Sequence, residues 1–182
     1  RGKIKTPALD QIAKSGMVFT DAHSGSSVCT PTRYGLMTGR YAWRTRLQTG
    51  VLKGGEALIA KETLTIAEML KTKGYDSVMI GKWHLGDNYP YRPEDRGYTE
   101  VLRHGGGGVD QTPDYWDNAY FDGSYWHNGT PEPVKGFCTD VFFDYAKRFI
   151  KKSKEVDKPF LAYLATNAPH GPMHAPEDSA AA

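Results

Sequence analysis

The 182-residue chain has no apolar run approaching the ~18–20 residues that a membrane-spanning helix requires, which predicts no membrane association. It starts at Arg1 rather than methionine and carries no charged-then-apolar leader, so it reads as a mature or truncated product. Cysteine is scarce. Cys29 and Cys138 are too few for a disulfide framework or a metal cage, although one bridge between them stays open. A net charge of +2 is too small for the basic field of a nucleic-acid binder, and no such partner is expected. Internal repeats and low-complexity tracts are also lacking. What remains, 39% hydrophobic and 24% charged residues, is the composition of an ordinary folded domain long enough to bury a core.

Helix-like and strand-like segments alternate. Thr6-Pro7 reads as N-cap and first helical residue, Leu9, Ile12 and Ala13 as an apolar stripe, and Gly16 as the stop. Met17 to Thr20 reads as a short strand. Thr30-Pro31 repeats the cap-and-proline signal, which predicts Cys29 just before a helix N-terminus. Thr65 and Glu68 form a capping box ahead of Ile66, Met69 and Leu70, with Gly74 as the stop. Tyr75 to Ile80 reads as a strand, and roughly Gly86 to Gly136 as a long loop region that is functional or carries small elements of its own. Phe142, Tyr145, Ala146, Phe149 and Ile150 mark an amphipathic helix, and Pro159 to Ala165 a continuous apolar strand buried in a parallel sheet. The pattern predicts an α/β fold with a mostly parallel central sheet flanked by helices. In such sheets ligands sit beyond the carboxyl ends of the strands. Lys82 and His84 follow one strand and His170 follows another, so topology alone brings these three to one edge.

Each candidate has two readings. Cys29 near a helix N-terminus suits a thiolate nucleophile, and a buried structural thiol is the alternative. A tyrosine-phosphatase type of loop is excluded, because it needs arginine six positions after the cysteine and Gly35 stands there. Lys82 and His84 point the same way if the backbone is extended. A solvated lysine and a hydrogen-bonded structural histidine are the bland alternatives. Arg33, Arg40, Arg44 and Arg46 suit either an anionic ligand or a solvated basic face. Asn128-Gly129-Thr130 fits a glycosylation sequon of low specificity; His23, His104, His127 and His174 read as surface polarity, with His23, near Cys29, and His174, near His170, open as pocket-lining residues. The aromatic-rich stretch from Asp114-Tyr115-Trp116-Asp117 through Tyr125-Trp126-His127 suits stacking on sugar or aryl rings, or equally a loop anchored by its own rings.

Cys29-Thr30-Pro31-Thr32-Arg33, followed by Leu36, Thr38, Gly39 and Arg40, resembles the core signature of type I sulfatases, with Thr32 in place of the usual serine. Gly74-Tyr75 with Gly81-Lys82-Trp83-His84-Leu85-Gly86 is similar to the family's second signature. Ala168-Pro169-His170-Gly171-Pro172 is similar to the segment carrying its later histidine, and Thr6 to Asp10 and Phe19 to Ala22 are similar to its N-terminal region. The resemblance implies an alkaline-phosphatase-like fold and hydrolysis of sulfate esters. It implies that Cys29 is oxidised by a formylglycine-generating enzyme to formylglycine, whose hydrate attacks sulfur and forms a covalent sulfo-enzyme. It further implies Arg33 holding that group, Lys82 on sulfate charge, His84 as base of the elimination, and His170 on sulfate or the leaving oxygen. A phosphate or phosphonate ester hydrolase of the same superfamily, and a non-catalytic binder of sulfated glycans, stay open.

The family also uses a divalent cation, usually calcium, held by oxygen ligands. The resemblance places only Cys29, as formylglycine, among those ligands within residues 1–182 and leaves the others outside. The chain is therefore expected to be a partial catalytic domain, lacking the first strand and the C-terminal part and inactive alone. An exported compartment (periplasmic, secreted or lysosomal) is expected by resemblance, and the particular sulfate ester is not legible.

Overall fold

The computed structural model describes residues 4–110 and 118–180. The aromatic and acidic positions Asp114, Tyr115, Trp116 and Asp117 lie outside the described residues. Among those described, helices α1 (Pro7–Ser15), α2 (Cys29–Thr38), α3 (Ile66–Lys71) and α4 (Cys138–Glu155) accompany strands β1 (Asp76–Lys82), β2 (Glu100–His104), β3 (Ser124–His127), β4 (Thr130–Pro133) and β5 (Phe160–Ala165). The strands form one sheet in the order β4-β3-β2-β1-β5. β1 runs parallel to both neighbours, pairing Val78 with Glu100 and with Ala162, whereas β3 and β4 are antiparallel. The sheet is thus mixed and mostly parallel around β1, in keeping with the expected α/β class.

β1 is covered on both faces because its residues alternate between two cores. Val78 and Ile80 pack with Leu102 and with Val141, Phe142, Tyr145, Ala146 and Phe149 of α4. Met79 and Val101 pack with Tyr34 and Met37 of α2, Ala67 of α3, and Leu52, Ile59 and Trp83. The amphipathic spacing of α4 therefore places one helix on one face, while α2 and α3 take the other. The capping box of α3 is present, with Thr65 Oγ1 accepting from Glu68 N at 3.2 Å and Glu68 Oε2 accepting from Thr65 N at 2.8 Å. This helix stops at Lys71, short of Gly74.

Several sequence expectations are corrected. Met17, Val18 and Phe19 form no strand and are 63–76% exposed, and α1 buries none of its residues, since no described element packs on either segment. Residues 86–136 are not one long loop. They contain β2 and the β3–β4 hairpin, whose Asn128-Gly129 turn has positive φ at both residues (50° and 84°), the geometry of a two-residue hairpin turn. β5 is apolar but lies at the edge of the described sheet and is only half-buried. Both cysteines are free, so the open possibility of a bridge is not realised.

Candidate active site

Cys29 is the first residue of α2 rather than the residue before it. Val28 is the N-cap, with extended backbone and no side-chain cap bond. Thr30 is already the second helical residue, and its hydroxyl is engaged by Leu52 and His84. One turn further along the same face, Arg33 donates from Nη1 to the Lys82 carbonyl at 2.6 Å and to the Tyr163 hydroxyl at 3.0 Å. That pair of bonds ties α2 to the carboxyl end of β1 and to β5.

β1 ends on Gly81-Lys82. Gly81 has φ of 95°, and a Cβ there would collide with the Ala165 carbonyl of β5. His84 has φ of 58°. The segment is therefore not extended, contrary to the assumption behind the shared direction of Lys82 and His84. Both are nevertheless buried, at 2% and 5% exposure. Trp83 between them is sealed in the core and donates Nε1 to the Tyr91 carbonyl at 3.0 Å.

Burial pushes the Lys82 ammonium below its usual range, the neighbouring Cys29 side chain opposes that shift, and the Arg33 guanidinium adds to it. Neither Lys82 nor Arg33 has a carboxylate partner among the described residues. His84 is held at about 4, chiefly by burial. Its bond to Leu52 works against this, and the charges of Lys82, Arg33 and His170 work with it. The ring is therefore neutral near pH 7. Its Nε2 lies 3.0 Å from the Leu52 carbonyl and its Nδ1 3.3 Å from Thr30 Oγ1.

His170 sits on the exposed loop after β5, with Nδ1 donating to the Gly171 carbonyl at 2.8 Å. The loop is fixed by Tyr120, which donates to the His170 carbonyl at 3.2 Å, and by Asn167, which bonds Tyr120. Cys29, Arg33, Lys82 and His84 thus meet at one sheet edge, and His170 lies within electrostatic reach of His84.

The sulfatase family profile matches residues 1–182. The chain belongs to the sulfatase family. It is 32% identical over 179 residues to an ulvan-active sulfatase of Formosa agariphila, covering 93% of this chain and 31% of that protein. It is 30% identical to a canine N-acetylgalactosamine-6-sulfatase, covering 94% and 36% respectively. The chain therefore spans about a third of the length of these curated relatives. Among solved structures, Ps i-CgsB in complex with k-i-k-neocarrahexaose superposes with a TM-score of 0.85 at 31% identity, covering 97% of this chain and 42% of that one. The fold is accordingly the alkaline-phosphatase-like fold of sulfatases.

Among the described residues no group of three or more His, Cys, Asp and Glu is placed to hold a metal ion. The described residues alone therefore do not fit the divalent-cation site that sulfatases commonly use.

Other candidates resolve differently. Arg40 is exposed, Arg44 lies over the Trp43 ring at 5.1 Å, and Arg46 pairs with Glu56 at 3.0 Å, so only Arg33 of the four arginines joins the site. A cavity of about 670 Å³ runs along the outer flank of α2 beside Pro31, Leu36 and Arg40. Its lining includes none of Cys29, Arg33, Lys82 and His84. His104 is buried rather than superficial, His127 lies 2.5 Å from Glu132, the His174 ring sits tilted against Tyr120 with centroids 4.7 Å apart, and His23 pairs with Asp21 on the surface. Tyr125 is a core residue bonded to the Ala119 carbonyl at 2.6 Å, which favours the self-anchored reading there.

Sequence reasoning missed Thr30, Leu52 and Tyr163. Tyr163 was hidden in an apolar strand, and its hydroxyl was the one polar signal available.

Proposed function

We propose that this chain supplies the nucleophile side of a sulfatase active site acting on sulfate esters of carbohydrates. One observation carries the reading. A buried lysine and a buried-side arginine, neither matched by a carboxylate among the described residues, flank Cys29 at the carboxyl edge of β1. Two such cations repel each other, and an oxyanion between them relieves that repulsion and favours the charged form of Lys82. The carbohydrate class follows from the relatives, whose names specify ulvan and N-acetylgalactosamine-6-sulfate.

In this reading a formylglycine-generating enzyme converts Cys29 to formylglycine. One hydroxyl of its hydrate displaces the sugar alcohol from sulfur, and the other collapses to the aldehyde as sulfate leaves. Lys82 binds sulfate oxygen and stabilises the charge that grows there. Arg33 holds residue 29 and the end of β1 in register through its fork of donors. His84, neutral at working pH and with Nε2–H committed to Leu52, can take up a proton only at Nδ1, which the Thr30 hydroxyl faces. His170 reaches the leaving oxygen from its exposed loop. A bound divalent cation belongs to the family chemistry, with its remaining ligands outside the described residues.

The test is turnover of matched aryl sulfate and aryl phosphate by the complete enzyme that contains this chain, with Cys29→Ala as control. Sulfate turnover lost in Cys29→Ala supports the proposal. Phosphate turnover with no sulfate turnover, or full activity in Cys29→Ala, overturns it.

A further inference from the structure

The residue after the nucleophile position is completely buried, although it is a threonine. A buried hydroxyl needs partners, and Thr30 has two. Its Oγ1 accepts from the Leu52 amide at 3.2 Å and lies 3.3 Å from His84 Nδ1. Leu52 in turn offers its carbonyl to His84 Nε2 at 3.0 Å. A carbonyl oxygen only accepts, so Nε2 carries the imidazole proton and Nδ1 carries the lone pair. The only proton available to that lone pair within the ring of bonds is the Thr30 hydroxyl. With the Leu52 amide as donor to Oγ1, each polar atom in the cycle has a defined role, and only one tautomer of His84 satisfies it.

We infer that Thr30 is a positioning residue, whose hydroxyl donates to His84 Nδ1 and so holds the ring in the orientation and Nε2–H tautomer that the Leu52 carbonyl selects from the other side. Leu52 completes the clamp through both its backbone groups, so the loop before α3 is part of the site although it bears no reactive side chain. The arrangement explains why a β-branched hydroxyl residue sits where an N-cap was expected. It also explains how His84 tolerates φ of 58°, since the ring is bonded on both sides. The consequence for turnover rests on the role given to His84 above; the tautomer assignment does not.

The experiment uses the complete enzyme with ¹⁵N-labelled histidine, comparing wild type with Thr30→Val, Thr30→Ala and Thr30→Ser. Long-range ¹H–¹⁵N correlation reads the two ring nitrogens of His84, and kcat and KM for an aryl sulfate are measured alongside. The wild type should show a single Nε2–H tautomer with a hydrogen-bonded Nδ1. Thr30→Val should keep the Nε2–H tautomer that the Leu52 carbonyl selects but lose the hydrogen bond at Nδ1, shifting that resonance, with kcat falling about tenfold, as expected for one lost hydrogen bond, and KM nearly unchanged. Thr30→Ser should restore both. If valine disturbs folding, Thr30→Ala gives the same readout. Unchanged His84 resonances in Thr30→Val and Thr30→Ala overturn the inference whatever the activity. Altered resonances with unchanged kcat overturn the positioning role while sulfate hydrolysis stands. A wild type inactive on sulfate, with the tautomer as stated, removes the functional reading and leaves the clamp.

Discussion

Acidification should destabilise this fold through His84, and the size of the effect follows from its surroundings. The ordinary value for the ring is 6.5 and the folded value about 4, because the ring is buried beside Lys82 and Arg33. Charging it in place therefore costs about 3 kcal/mol more than charging it in the unfolded chain. The folded value lies below the unfolded one, so between these two pH values the unfolded chain binds more protons. The contribution of this site is complete above pH 6.5 and is lost as pH falls towards 4. The perturbation is His84→Asn. Asparagine tolerates the positive φ, can donate to the Leu52 carbonyl and accept from Thr30, and does not titrate. Urea unfolding at pH values between 7 and 4 should show wild type losing about 3 kcal/mol more than the variant over that interval. Parallel pH profiles, or an NMR titration of His84 with its midpoint near 6.5, would refute the reasoning.

Three further predictions concern how the site is held. Gly81→Ala puts a Cβ against the Ala165 carbonyl at positive φ, so it should cost about 3 kcal/mol or more in chemical denaturation. Tyr163→Phe removes one of the two Arg33 Nη1 partners and should cost about 1 kcal/mol of stability while lowering kcat, read by denaturation and steady-state kinetics. Thr65→Ala breaks the capping box far from Cys29 and should lose about 1 kcal/mol with kcat unchanged; a fall in kcat equal to that of Tyr163→Phe would undo the distinction between site and scaffold.

The parts legible in the sequence were those with local causes. The α3 capping box, the β1 run and the α4 stripe are set by neighbours within a few residues. Parallel strand ends then brought Lys82, His84 and His170 to one edge without knowledge of register. The missed parts depend on contacts distant in sequence. Glu100–His104 lacks clean alternation because Arg103 and His104 are buried polar residues, with Arg103 paired to Glu94 at 3.1 Å, so β2 did not show. Asn128-Gly129 was read as part of a sequon, and its equally available hairpin meaning was passed over. Thr30-Pro31 has the local look of a cap, but the helix starts one residue earlier and the Thr30 hydroxyl bonds Leu52, more than twenty residues away.

The central claim is that Cys29 is a precursor of the nucleophile rather than a structural thiol. Mass analysis of the peptide bearing Cys29, from protein made in its native host, tests it most directly. The account predicts the aldehyde of formylglycine or its hydrate at that position; an intact thiol there would contradict it.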